Sequence, residues 1–412
     1  MAFKVYYLST GLADTAFDSQ VLPILERGVR SGMDLVHICF DPFISKRKTG
    51  YVEKRRELDS MGVRTYSLRQ CPPFTKASLL FDVKRMAPFI KGLQQSGGKT
   101  VFHCRGHINA YRGLLLKKLS PESVSVIADL RGAVTDEARH SSGGAYKKLL
   151  GRYLGTFYGG IEHEILRSAD HILCVSKSFG DYLQAIHPVK NLSVIPTFVD
   201  TSRFRFSKQT RDVFRKNIGI SDRVVLVFSG GTAQWQKLEA VIRLFVTVKQ
   251  EVKNLFMLFL SHDPSLLRKT IGGQIHPNDF KVIRVPYRDV PGYLCAADVA
   301  VLLREDRLTN WVAAPIKFSE YMCCGLPCLV SDKVGDTAEV VRGERAGIIL
   351  GSEKPIPTLS EIRELLSVNR DMISESMAAR YSSDIYVPKL FSLYRALGDA
   401  QGRLMKSYPP DR

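Results

Sequence analysis

NWVAAPIKFSEYMCCGLPCLVSD, from Asn310 to Asp332, reads as a helix that feeds a strand, and that reading decides the fold. Pro315 suits the first turn of a helix, because its fixed φ is already helical and its missing N–H is not needed there. Lys317 and Glu320 stand at i and i+3 and therefore share one face near the helix start. Gly325, after Cys324, is the expected left-handed residue that closes the helix. LPCLVS is a short apolar run without alternation, as in a parallel strand buried on both faces. The Lys–Glu pair has two readings. It is either a surface ion pair or part of an anion site. The free N–H groups of a helix start attract phosphate, and Lys adds a point charge. A Glu beside phosphate makes sense as an acceptor for sugar hydroxyls. Together these suggest a nucleotide, with its diphosphate at the helix start and its ribose on Glu320.

Outward from this stretch, strands and helices alternate along most of the chain. FKVYYLS, DLVHICF, VRTYSL, TVFHCR, SVSVIADL, HILCVS and SVIP read as strands in the first half. Helical stretches lie between them at 17–31, 76–95, 109–119 and 145–168. VIPTFVDTSRFRF interrupts the pattern and reads as a linker. The alternation restarts with VVLVFSGG, NLFMLFLS, FKVIRV, DVAVLL, PCLVS and AGIIL, and long amphipathic helices end the chain at 359–397. Such alternation implies parallel sheets with helical crossovers, here two doubly wound α/β domains.

The 412 residues suffice for a core in each domain. A content of 45% apolar and 24% charged residues is that of an ordinary globular protein. No apolar run approaches the roughly 18 residues of a membrane span, and MAFKVYYLSTG lacks the pattern of a signal peptide. The eight Cys sit mostly in apolar runs, as small core residues of a reducing compartment. Cys323, Cys324 and Cys328 have no second CxxC or His pair, which argues against a metal. The net charge of +18, from 59 basic and 41 acidic residues, points to anionic partners. Its densest patches are Lys46 to Arg56, Lys117–Lys118 and Tyr146 to Tyr153. A solvated face and contact with an anionic membrane surface both fit. No nucleic-acid signature accompanies the charge, so nucleic acid is not expected as a partner.

In doubly wound sheets ligands sit beyond the carboxyl ends of the strands. The unusual residues fall there. STGLADTAFDSQ, with Gly11, follows the first strand. GHIN, with His107, follows TVFHCR. RGAVTDE follows SVSVIADL, and GGTAQW, with Gly230 and Gly231, follows VVLVFS. REDRLTN, with Arg304 and Asn310, follows DVAVLL. His103 alternates inside a strand and reads as packing, whereas His107 lies just beyond the strand end and is the better functional candidate.

These blocks carry a resemblance. ADHILCVSKSFGDYL, VIPTFVD, AADVAVLLRED, APIKFSEYMCCGLPCLVSD and GDTAEVV resemble the retaining, nucleotide-sugar-dependent GT-B glycosyltransferases of family 4, and within them a bacterial surface-polysaccharide subset. The resemblance implies an acceptor-binding domain over 1–196, a linker over 197–222, a donor-binding domain over 223–380 and a helix over 381–412 that packs back toward the first domain. In GT-B proteins the two domains face each other across a cleft.

Residue by residue, Glu320 matches the second of the family's two Glu residues, the acceptor of ribose hydroxyls. The first falls at Val312, so this chain lacks it. Gly231 and Trp235 stand where the family often has Arg and Lys. Arg304 and Lys317 are then expected to supply the charge facing the diphosphate, and Gly230, Gly231 and Asn310 to line the donor. His107 matches a loop His near the transferring sugar. Gly11, Asp129 and Arg131 are expected to line the cleft on the acceptor side. Retention by front-face attack is implied. With no Asp-x-Asp motif near a strand end, neither metal nor cofactor is expected. Two alternatives share the scaffold, a nucleotide-sugar epimerase and a non-catalytic binding or partner subunit.

Overall fold

The structure is a computed structural model and describes residues 3–12, 15–41, 50–70, 75–86, 89, 98–140 and 144–399. Lys46, Arg47, Lys48 and Cys71 lie outside them, as does the expected end of the helix at 76–95.

The described residues form two parallel sheets. The first contains β1 (Phe3–Thr10), β2 (Leu35–Asp41), β3 (Arg64–Arg69), β4 (Lys99–Arg105), β5 (Val124–Asp129), β6 (His171–Cys174) and β7 (Leu192–Val194), in the order β3-β2-β1-β4-β5-β6-β7. The second contains β8 (Val224–Ser229), β9 (Leu255–Leu260), β10 (Phe280–Ile283), β11 (Val299–Leu302), β12 (Cys328–Ser331) and β13 (Gly347–Leu350), in the order β10-β9-β8-β11-β12-β13. In both sheets the winding reverses beside the first strand. Val5 pairs with Leu35 on one side and Val101 on the other. Leu226 pairs with Met257 on one side and Val299 on the other. Each sheet therefore has one switch point, between β1 and β4 and between β8 and β11, where loops diverge and leave a crevice for a ligand.

The strands are apolar because both faces are covered. In β8, Val225 and Val227 enter one core cluster with Leu258, Ala300 and Phe318. Leu226 and Phe228 enter the other, with Phe245, Met257 and Phe259. This is the continuous apolar pattern expected of a parallel strand, each fully buried side chain contributing about 1.5–3 kcal/mol.

The chain divides into two compact units. One comprises Met1–Val175, Gly180–Ile195 and Tyr386–Arg412, the other Ser176–Phe179 and Pro196–Ile385. Residues 197–222, read above as a linker, carry a helix at Lys208–Ile218 and belong to the second unit. The reason is two arginines. Arg211 donates to the carbonyls of Cys295, Ala296 and Ala297 at the end of the Val290–Ala296 helix, and Arg215 donates to Ala296. Both also pair with Asp298. The last helix, Ser383–Gly398, joins the first unit from Tyr386 onward, where Val387, Leu390, Phe391 and Tyr394 are buried.

The opening stretch folds much as read. The helix spans Ile316–Cys323, with Pro315 as its N-cap residue rather than inside the first turn. Gly325 has φ +66°, and the bonds from Gly325 N–H to Met322 O and from Leu326 N–H to Tyr321 O close the helix. A Cβ on Gly325 would stand 2.2 Å from the carbonyl oxygen of Arg370, so only glycine fits there.

Candidate functional site

In the second unit the helix that bears Lys317 and Glu320 is fastened to the switch point. The Ser229 N–H, at the end of β8, donates to the Tyr321 hydroxyl at 2.7 Å. Beside it, Arg304 follows β11, and its backbone is tied to the end of β12. Arg304 N–H donates to Ser331 Oγ at 2.9 Å, and Ser331 Oγ donates back to the Arg304 carbonyl at 3.2 Å.

Glu320 is fully buried, and neither carboxylate oxygen accepts a hydrogen bond among the described residues. Lys317 Nζ lies 3.3 Å from Oε2, near enough to form an ion pair but without hydrogen-bond geometry. Burial raises the carboxyl pKa above its usual value, and Lys317 and Tyr287 draw it back in part. Arg304 is largely enclosed. Burial lowers its guanidinium pKa to about 10, against the opposing influence of Tyr321, and no carboxylate pairs with it among the described residues. One end of the second sheet thus holds two cations and a carboxylate, and the carboxylate oxygens lack hydrogen-bond partners among the described residues. An unsatisfied buried polar group costs about 1–3 kcal/mol, more when charged, and a ligand that satisfies it recovers that cost.

The other donor candidates shape the site. The Gly230 N–H donates to Leu260 O, and a Cβ at 230 would come within 2.9 Å of the Phe228 ring. A Cβ at Gly231 would meet His262 Cε1 at 3.3 Å. Asn310 is buried, and its amide donates to the Glu305 carbonyl at 2.9 Å, so its side chain holds the 305–310 loop. Val312 is buried as well, and its carbonyl accepts from Ser176 Oγ at 2.8 Å.

In the first unit Gly11 has φ +76° and follows β1. Asp129, at the end of β5, is buried and takes three donors. They are Arg131 at 3.1 Å, Arg105 at 3.4 Å and His103 Nε2 at 3.3 Å. Burial alone would raise its pKa, but Arg131, the His103 bond and Arg105 together hold it well below the usual carboxylate range. Arg105 and Arg131 also both donate to Gln20. His103 Nδ1 lies 2.7 Å from the Tyr394 hydroxyl. Burial lowers the His103 pKa in spite of Asp129, which favours a neutral ring that donates to Asp129 and accepts from Tyr394. The packing reading of His103 agrees with this.

His107 differs from its expected setting. It is the first residue of the His107–Leu119 helix rather than a loop residue. It is buried, with Nε2 2.8 Å from Glu162 Oε1 and Nδ1 without a partner among the described residues. Gly106, at φ +80°, allows the abrupt turn from strand to helix.

Several of these groups escaped the sequence reading. Arg105 ends β4 and was open to the same strand-end argument as His107. Tyr321, Tyr287 and Glu162 gave no signal, because each lies inside an element or turn of ordinary composition and gains its partner only through the tertiary fold.

Comparison with known proteins agrees with the fold. Residues 223–367 match a family model described as glycosyl transferases group 1. Residues 36–203 match one described as glycosyltransferase family 4. No curated protein matches the sequence. Among solved structures, HepE of Anabaena in complex with UDP is similar with a TM-score of 0.69 at 12% identity, over 95% of this chain and 98% of that one. Sucrose-phosphate synthase of Thermosynechococcus elongatus gives 0.70 at 16% identity, over 96% and 99%. WaaG, a glycosyltransferase involved in lipopolysaccharide biosynthesis, gives 0.62 at 12% identity, over 94% and 98%. The fold is the two-domain α/β fold of GT-B proteins. With the two glycosyltransferase matches, these findings support a GT-B glycosyltransferase of the group 1 and family 4 type.

Proposed function

We propose that the chain is a retaining glycosyltransferase that moves a sugar from a nucleotide-sugar donor to a glycan or lipid-linked acceptor in surface-polysaccharide biosynthesis. In this reading it works without metal or cofactor, at the anionic inner face of a membrane. The observation that carries the donor part is Glu320, a fully buried carboxylate with unsatisfied oxygens beside Lys317 at the end of the second sheet. Ribose hydroxyls are donors that would satisfy it. The HepE structures with UDP and with UDP-glucose support the choice of ligand class.

As the bond to the anomeric carbon breaks, negative charge grows on the leaving diphosphate. Arg304, Lys317 and the amides of the Ile316–Cys323 helix start are the groups that would meet it. Front-face attack lets the leaving phosphate assist in taking the acceptor proton, so no second carboxylate is required. In the first unit, Gly11, Asp129 and Arg131 would meet the acceptor, and His107 would act on the transferring sugar. Turnover of a panel of nucleotide sugars with a lipid-linked acceptor, followed by the anomeric configuration of the product, tests this reading. Hydrolysis or epimerisation alone, or an inverted product, would overturn it.

A second reading is favoured by Val312. A buried valine stands where the family has a Glu that supports the donor sugar, so this chain offers no carboxylate at that position. A non-catalytic subunit that binds the nucleotide would show affinity without turnover.

A further inference from the structure

We propose that the first turns of the Ala145–Ser168 helix form the face on which this protein docks to an anionic lipid bilayer. The inference rests on the membrane part of the reading above and assigns it to particular residues. Tyr146, Leu149, Leu150 and Tyr153 are 77%, 68%, 41% and 48% exposed. They stand at i, i+3, i+4 and i+7, so they form one stripe along one side of the helix. Exposed apolar side chains are usually scattered singly, and a contiguous stripe marks an interaction surface. The other side of the helix is fixed to the protein. Gly151 and Gly155 are buried, and a Cβ on Gly155 would stand 2.4 Å from Arg139 Cγ.

Charge selects the partner. Lys147 and Arg152 are exposed and flank the stripe, and Lys148 is exposed on the first turn of the same helix. No Asp or Glu occurs from Ala138 to Ile161, and the first, Glu162, is buried against His107. In the other basic patches, acids of the same unit lie within ion-pair distance. Lys54 pairs with Asp18 and Glu57, Arg55 with Asp59, Lys117 with Asp170 and Lys118 with Glu164. An apolar stripe with tyrosines at both ends and cations at its flanks matches the headgroup layer of an anionic membrane. There the rings sit at the boundary, the leucines enter the acyl region and the cations meet lipid phosphate.

Flotation of the full chain with vesicles tests this, using phosphatidylcholine alone and mixed with phosphatidylglycerol. Wild type should float with the mixed vesicles at low salt, stay behind with the neutral ones, and be released by salt. Replacement of Lys147 or Arg152 by Ala should each weaken binding about fivefold, at about 1 kcal/mol per basic residue. Leu149→Glu with Tyr153→Glu should abolish it. All variants should keep the wild-type melting temperature and the same thermal shift with a nucleoside diphosphate. Unchanged flotation of the variants would overturn the proposal, as would wild type that ignores the mixed vesicles. So would a dimer in gel filtration that Leu149→Glu dissociates, since the face would then belong to a second copy. Vesicle binding by a protein that responds to no nucleotide would sink the transferase reading and leave this one standing.

Discussion

Lys317 Nζ stands 3.3 Å from Glu320 Oε2, and that carboxylate is closed to solvent with no hydrogen bond to either oxygen among the described residues. A protein rarely keeps a buried charge so poorly satisfied unless a ligand completes it. Placement at the switch-point end of the second sheet makes a nucleotide the natural completion.

Glu320→Gln is expected to stabilise the ligand-free protein at neutral pH. Burial places the folded pKa of Glu320 above the ordinary 4.5. A raised folded pKa means the folded state holds the proton more tightly, so its contribution is full below 4.5 and is lost as pH rises through the folded value. Gln carries no such loss. The difference in melting temperature between variant and wild type should therefore widen as the pH rises above the ordinary 4.5. A difference that stays constant over that rise contradicts the assignment.

Lys317→Ala should lower turnover by about 10²–10³-fold, the usual effect of losing one group that stabilises developing charge. The variant should remain folded, because Glu320, left without its cation, takes up a proton instead of staying charged. Steady-state kinetics with a melting curve check both halves, and near-normal turnover rules out the role.

Gly325→Ala should destabilise without altering specificity. Its φ of +66° costs an L-residue about 1–2 kcal/mol, and the added Cβ would also press on the Arg370 carbonyl. Arg370 itself donates to the carbonyls of Gly325, Cys324, Cys295 and Ala297, so the backbone there cannot yield freely. Denaturant unfolding of the second unit should show the loss, and a stability equal to wild type would show that the turn tolerates a side chain.

His107→Ala removes the donor that faces Glu162 and leaves a buried carboxylate behind. Stability should fall by about 1–3 kcal/mol. Turnover should fall more than nucleoside diphosphate affinity, because His107 belongs to the first unit and the proposed nucleotide groups to the second. A variant that loses nucleotide affinity yet keeps its full maximal rate would show that His107 has been misplaced.

Much of this was legible in sequence because parallel strands are buried on both faces and so announce themselves as unbroken apolar runs. NLFMLFLS and VVLVFS are β9 and β8, and Gly325 ended its helix as its type demands. The Lys317–Glu320 pairing was also local, since i and i+3 meet on any helix. Orphaned carboxylates are not local. That Glu320 lies enclosed beside Tyr287, and that Asp129 gathers His103, Arg105 and Arg131, depends on strands brought together from distant parts of the chain. His107 shows the same limit. Its place after β4 followed from the pattern, but its burial against Glu162 came from a helix that starts 38 residues later, at Ala145.

The central claim is that the second unit binds the nucleotide of a sugar donor through Lys317, Arg304 and Glu320. The most direct measurement is the thermal shift of the full chain with a panel of nucleoside diphosphates, each paired with its 2′-deoxy form, for wild type, Lys317→Ala and Glu320→Gln. A ligand at about one hundred times its Kd stabilises by about 2.7 kcal/mol, well within reach of the method. One ribonucleotide should raise the melting temperature of wild type more than its deoxy counterpart. That preference should vanish in Glu320→Gln, and the whole shift should shrink in Lys317→Ala. A wild-type protein that responds to none of the nucleotides, or two variants that respond as wild type does, would contradict the account.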